Sequence, residues 1–226
     1  QPCALPISIR ALRAEQEEVD VEFVLHGENG PASAWATHAR IGDRLQLAAP
    51  NRQYGDDPGG YEWKPPAGVR HILLIADETA LPAVAGILEE LAGETEPPVV
   101  EAFLEVPGEA DILDLPAIPA ARLHWLPRHQ AGIHSRNGER MIEAARQARL
   151  PEREVAGGAA QELEDIDIDE EILWELASPE SGSFYAWVAG ESAAVMAIRR
   201  YLVQERGIDK RHLTLMGYWR LGKVFD

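Results

Sequence analysis

A single cysteine, Cys3, in 226 residues rules out an intramolecular disulfide and any cage of thiolates around a metal, and it fits a reducing compartment. No apolar run approaches the roughly 18 residues of a membrane span, and the N-terminus lacks the basic-then-apolar layout of a secretory signal. Positive charge is scarce. Lys and Arg number 21 against 38 Asp and Glu, a net charge of −17, and no basic stripe offers itself to a nucleic-acid backbone or an anionic membrane. Neither a Gly-x-Ser-x-Gly elbow nor a P-loop occurs, which sets aside the common hydrolase and NTPase readings. His124, His129 and His134 recur at five, off the one-face spacing of a helical metal motif, so no protein ligand set for iron or zinc is expected. These absences leave an acidic cytoplasmic protein with one good core or two small ones.

What is there is a six-residue corner that occurs twice. Ile75-Ala76-Asp77-Glu78-Thr79-Ala80 follows the apolar run His71 to Leu74, and Val188-Ala189-Gly190-Glu191-Ser192-Ala193 follows Phe184 to Trp187. A short continuous apolar run reads as a buried parallel strand, and the hydroxyl residue after it as the cap of a helix. Ligands of open α/β sheets bind at such strand ends, so both corners point to one binding edge.

Before these corners the texture is β. Val19 to Leu25 alternates at period two, Arg44 to Leu47 reads as a second short strand, and Gly30 to Ala36 between them starts a short helix. Asn51 to Gly68, rich in Pro, Gly and Tyr, has neither period and reads as a linker or lid. From Arg70 onward strands and helices alternate, which predicts a parallel sheet. Strands are expected at His71 to Ala76, Val99 to Val106, Arg122 to Leu126, Ala186 to Ala189 and Leu213 to Met216. Helices are expected at Ala80 to Leu91, Glu139 to Arg149 and Ser192 to Arg206, the first and last stopped by Gly93 and Gly207. The acidic segment Glu162 to Glu171 reads as a solvated loop, with a docking surface for a basic partner as the other reading.

Several stretches in this order resemble the siderophore-interacting protein family, FAD-dependent ferric-siderophore reductases related to ferredoxin-NADP reductase. They are Val24-Leu25-His26-Gly27, Gly30 to Ala36, Gly42-Asp43, Leu74 to Ala83 with its Asp77-Glu78-Thr79-Ala80-Leu81-Pro82, His124-Trp125-Leu126-Pro127-Arg128, Leu173-Trp174-Glu175, Trp187-Val188-Ala189-Gly190-Glu191 and Gly217-Tyr218-Trp219-Arg220. The resemblance implies α/β plus β architecture: a partial flavin-binding β-barrel over residues 1–66, then a five-stranded parallel Rossmann-like nucleotide-binding domain over 67–226. The family's Arg-x-Tyr-Thr strand, whose arginine and tyrosine hold the flavin, is replaced by Leu5-Pro6-Ile7-Ser8-Ile9-Arg10, so strands of the barrel are expected to be missing and tight FAD binding is in question.

The resemblance also nominates site residues. Ala32, Ser33 and Trp35 stand where relatives hold the FAD pyrophosphate, and a helix N-terminus suits an anion; a well-capped barrel helix is the competing reading. His26 matches a flavin-facing position and Thr79 the turn that faces a nicotinamide cofactor's phosphates. Asp77 and Glu78 oppose such phosphates, so NAD(P)H should bind weakly or in a shifted pose; both also suit a helix first turn without any ligand. Arg128 either grips an adenosine phosphate or is a surface arginine. Trp219 could cover the isoalloxazine, with Arg220 and Lys223 as isolated cations attracting an anionic ferric chelate; a solvated tail is the alternative. The expected activity is reduction of a ferric siderophore through FAD by NAD(P)H or ferredoxin, with no side chain as catalytic nucleophile and release of Fe(II). A non-enzymatic nucleotide-fold module without flavin is the rival, and an NAD(P)H oxidoreductase with another acceptor the third reading.

Overall fold

A computed structural model describes residues 7–25, 28, 31–47, 53, 55, 62–115, 118–151, 163–178, 180 and 182–222. β1 (Ile7–Arg13) and β2 (Glu18–Phe23) form an antiparallel hairpin, followed by α1 (Pro31–His38). Then come β3 (His71–Ala76), α2 (Leu81–Ala92), β4 (Val99–Gly108), β5 (Ala121–Gln130), β6 (Ile133–His134), α3 (Glu139–Gln147), β7 (Trp174–Glu175), β8 (Phe184–Glu191), α4 (Ser192–Arg200) and β9 (Leu213–Trp219).

The last seven strands form one sheet in the order β6-β5-β4-β3-β8-β9-β7. Its five central strands run parallel, as expected, and each edge adds a two-residue antiparallel strand. The apolar runs are continuous because both faces are covered. Ile72, Leu74, Val100, Ala102, Tyr185 and Trp187 pack with Val84, Leu88 and Leu91 of α2. Leu73, Ile75, Phe103, Ala186 and Val188 pack on the other face with Met141 and Ala145 of α3 and Val195 and Ile198 of α4. Strand order reverses between β3 and β8, which makes their carboxyl ends the topological switch point where such sheets bind ligands.

Two expected elements differ. Arg44 to Leu47 is not a strand, because no ladder partner for it lies among the described residues. The final helix is α-helical only to Arg200, then widens into a π turn, Tyr201–Glu205, in which Arg206 N–H reaches back five residues to the Tyr201 carbonyl at 3.0 Å.

The hairpin is oriented unusually. Its cross-strand pairs Ile7–Phe23, Ile9–Val21 and Leu12–Val19 share one face, and on it Ile9 and Leu12 are 62% and 73% exposed. The charged face instead meets the α/β body: Arg10 on β1 donates two guanidinium N–H groups to Glu89 on α2. The alternation that predicted a half-buried strand is real, but the apolar face is exposed at Ile7, Ile9, Leu12 and Val19 and partly covered only at Val21 and Phe23.

Candidate functional site

A crevice of about 650 Å³ opens at the switch point, within the range of small-molecule sites. Phe23, Val24 and Leu25 of the hairpin form one wall; Glu78, Thr79, Leu81 and Pro82 of the first corner, Arg128 at the end of β5 and Trp219 at the end of β9 form the other. The hairpin and the α/β body therefore share one concavity.

Asp77 organises it. The residue follows β3 directly and is 2% exposed. One carboxylate oxygen accepts from Thr79 N–H at 2.9 Å and from the Thr79 hydroxyl; the other accepts from Glu191 N–H at 2.8 Å and Trp219 Nε1–H at 2.8 Å. A single side chain thus ties the two repeated corners to each other and to the tail. The corners pack tightly there: Gly190 sits at φ +151, and a Cβ on it would lie 2.6 Å from Asp77 Oδ2.

Burial pushes the Asp77 carboxyl up to about 6, with a smaller push from Glu78, against the opposing hydrogen bonds from Thr79 and Trp219. A carboxyl raised in the folded state adds stability that is complete below its unfolded value near 4 and lost as pH rises through about 6. Lowering the pH from about 7 to about 5 should therefore stabilise the wild type relative to Asp77→Asn by about 1 kcal/mol, a difference in which other titrating groups cancel. Urea unfolding of both proteins at the two pH values checks this; parallel shifts would contradict it.

A second buried network backs the crevice. Arg128, 6% exposed, donates two 2.6 Å hydrogen bonds to Glu78 and one of 3.1 Å to Glu105. Glu105, fully buried on β4, also accepts from the N–H groups of Gly138 at 2.7 Å, Arg140 at 3.1 Å and Met141 at 3.2 Å, so it caps α3 and anchors it to the sheet. Burial pushes the Glu105 carboxyl above its usual range, against the pull of the Gly138 N–H and Arg128. Burial likewise pulls Arg128 down, but its two carboxylate partners outweigh this and hold it above its ordinary value.

These contacts revise several expectations. Arg128 is neither a surface arginine nor a free phosphate grip, because its fork is already committed to two carboxylates. Thr79 lines the crevice, but its N–H and hydroxyl both turn inward to Asp77. The hydroxyl residues of the corners are not the helix caps. Ala80 stands at the α2 N-cap without a side-chain cap, Glu191 caps α4 through Ala194 N–H, and Ser192 donates to the Trp219 carbonyl. Arg220 is not an isolated cation: it bonds Glu191 at 2.9 Å and Asp169 at 3.0 Å. Ser33 is fully buried in α1, Ala32 is half-buried beside it, and Trp35 packs on Phe23 with ring centroids 5.8 Å apart, bracing the hairpin wall. His26 and Lys223, and Leu5-Pro6 of the expected flavin strand, lie outside the described residues.

Sequence reasoning missed Glu105 and the role of Gly190. A signal existed for Glu105, an acidic residue in an otherwise apolar strand centre, Ala102-Phe103-Leu104-Glu105-Val106. Asp77 was legible as a carboxylate at the corner, but not as a clasp.

The chain matches two family models: siderophore-interacting FAD-binding domain over residues 1–54 and siderophore-interacting protein over residues 69–222. An uncharacterized protein of Mycobacterium tuberculosis is 30% identical over 226 residues, 99% of this chain and 67% of its own length. The ferric vibriobactin reductase of Vibrio cholerae is 29% identical over 225 residues, 99% of this chain and 66% of its own. Among solved structures, the siderophore-interacting protein SipS from Aeromonas hydrophila superposes with a TM-score of 0.66 at 25% identity, covering 95% of this chain and 67% of that one. A siderophore utilization protein from T. fusca gives 0.62 at 27% identity, covering 96% and 66%. The chain spans about two thirds of the length of these relatives. Among the described residues, no helix is long and apolar enough to cross a membrane.

Proposed function

Because the chain belongs to the siderophore-interacting protein family, we propose that it carries the reductase part of an FAD-dependent ferric-siderophore reductase, working in the cytoplasm and releasing iron as Fe(II). The observation that carries this reading is the shared crevice, in which hairpin residues 23–25, the Asp77 corner and Trp219 meet at the switch point. In this division of labour residues 1–66 supply part of a flavin barrel and 67–226 the nucleotide-binding reductase domain.

The crevice fits a flavin ring in size and lining, with Phe23, Val24, Leu25, Leu81, Pro82 and the half-buried indole of Trp219 as its apolar and aromatic surfaces. When bound, FAD would supply one-electron reducing chemistry for a chelated Fe(III), whose hard oxygen donors favour Fe(III) over Fe(II). This chain's residues supply position. Trp219 would hold the ring, His26 would face it, and Ala32, Ser33 and Trp35 would serve the pyrophosphate, with Ser33 acting through its backbone because its side chain is buried. Asp77 fixes the Trp219 indole through Nε1, Arg220 is committed to Glu191 and Asp169 and would position the tail, and Lys223 would meet the ferric chelate.

The nicotinamide partner fits less well. Glu22, Glu78 and Asp111 line the crevice, and the Arg128 fork there is already neutralised, so a dinucleotide phosphate meets net negative charge. NAD(P)H is expected to be a weak donor, with ferredoxin the other candidate.

Titrating the purified chain with FAD and following flavin fluorescence tests the proposal. Saturable quenching is expected, and Trp219→Leu should weaken FAD affinity by about two- to tenfold, the value of one aromatic contact. Reduction of a ferric chelate should then depend on added FAD. Absence of saturable FAD binding would favour the flavin-free binding module, a reading the outward-facing apolar hairpin also supports.

A further inference from the structure

Two histidines outside the crevice face each other across the β5–β6 hairpin. His129 and His134 are directly opposed in the antiparallel register, and their Nδ1 atoms lie 3.4 Å apart with ring centroids at 5.6 Å. Spacing at five is wrong for a helix face, but across a hairpin it places both imidazoles on one side of the ladder. The geometry is held from below. The turn is only Ala131-Gly132, with Gly132 at φ +78, and Gln130 next to His129 donates to Glu109 at 2.6 Å.

Two nitrogens bound to one tetrahedral ion at about 2.0–2.1 Å are about 3.3–3.4 Å apart, so the observed separation already equals the bite of a chelate. Both side chains are exposed, which leaves the remaining coordination positions to water. Among the described residues no group of three or more His, Cys, Asp or Glu side chains is placed to share an ion, so the protein contributes two donors. Imidazole donors select borderline transition ions over the hard cations that carboxylates prefer. The net charge of −17 raises the local concentration of any cation.

We propose that His129 and His134 form a two-imidazole surface site for a borderline divalent transition ion, of the Zn(II) or Cu(II) type, separate from the crevice and from the chelated iron. The site does not depend on the redox reading: it rests on the hairpin alone.

Calorimetric titration of the full chain with zinc chloride in chelator-free buffer tests it. One zinc per chain is expected, with affinity unchanged by a large excess of Mg(II). His129→Gln and His134→Gln should each weaken binding by at least about tenfold, and the double substitution should remove the site. Both positions are exposed, so circular dichroism should confirm that the variants keep the fold. Zinc affinity unchanged in the double variant, competition by Mg(II), or no zinc binding at all would each overturn the proposal. The last result would leave the two nitrogens as a hydrogen-bonding pair.

Discussion

Replacing Arg128 with alanine is expected to lower the free energy of unfolding by about 4 kcal/mol, because it strands buried carboxylates rather than merely deleting an ion pair. Glu105 is fully buried and Arg128 is its only cationic partner among the contacts described; Glu78, the other partner, is also largely covered. The three N–H groups of α3 that Glu105 accepts keep it hydrogen-bonded but do not neutralise it. The double variant Arg128→Met, Glu105→Gln removes the stranded charge at nearly constant volume and should recover more than half of the loss. Urea denaturation of the three proteins decides the matter. If Arg128→Ala costs less than about 1 kcal/mol, the network is a surface-like pair and not a buried one.

Gly190→Ala is expected to cost about 3 kcal/mol, the sum of a positive φ that side chains rarely adopt and a methyl group driven into the Asp77 carboxylate. The second part has a specific signature. The clash, at 2.6 Å from Asp77 Oδ2, can be relieved only by moving the carboxylate off Glu191 N–H and Trp219 Nε1–H or by moving the backbone. Trp219 should therefore become more mobile and its fluorescence more accessible to quencher. In an Asp77→Ala background the same substitution should cost only its conformational strain, a coupling of at least about 1 kcal/mol between the two positions. Additive costs would show that Gly190 and Asp77 are independent.

These two expectations rest on residues that the sequence displayed unequally. The corners were visible as corners: an apolar run, then an acidic and hydroxyl-bearing turn, then a helix. The chemistry inside them was not. Asp77 and Glu78 were legible as charges facing a phosphate, but not their internal donors, Thr79, Glu191 and Trp219 for Asp77 and Arg128 for Glu78. Thr79 and Ser192 looked like caps, but the Thr79 hydroxyl turns back to Asp77 in its own corner and the Ser192 hydroxyl reaches the Trp219 carbonyl of β9. Arg220 looked unpaired because Glu191 and Asp169 are 29 and 51 residues away along the chain. The hairpin's alternation was legible, but its facing was not, since a period of two separates two faces without saying which one meets the body.

Local sequence determined the five parallel strands, the helices between them and the place of the two corners, because continuous apolar runs and helical spacing are properties of neighbouring residues. The tertiary structure alone decided the partners of the buried charges. Asp77 meets Trp219 across 142 residues, and Arg128 meets Glu78 across 50. Which carboxylate a buried donor finds depends on strand order, and strand order depends on the packing of helices over both sheet faces. For the same reason the His129–His134 pair, five residues apart in the chain, becomes a facing pair only once β6 folds back on β5.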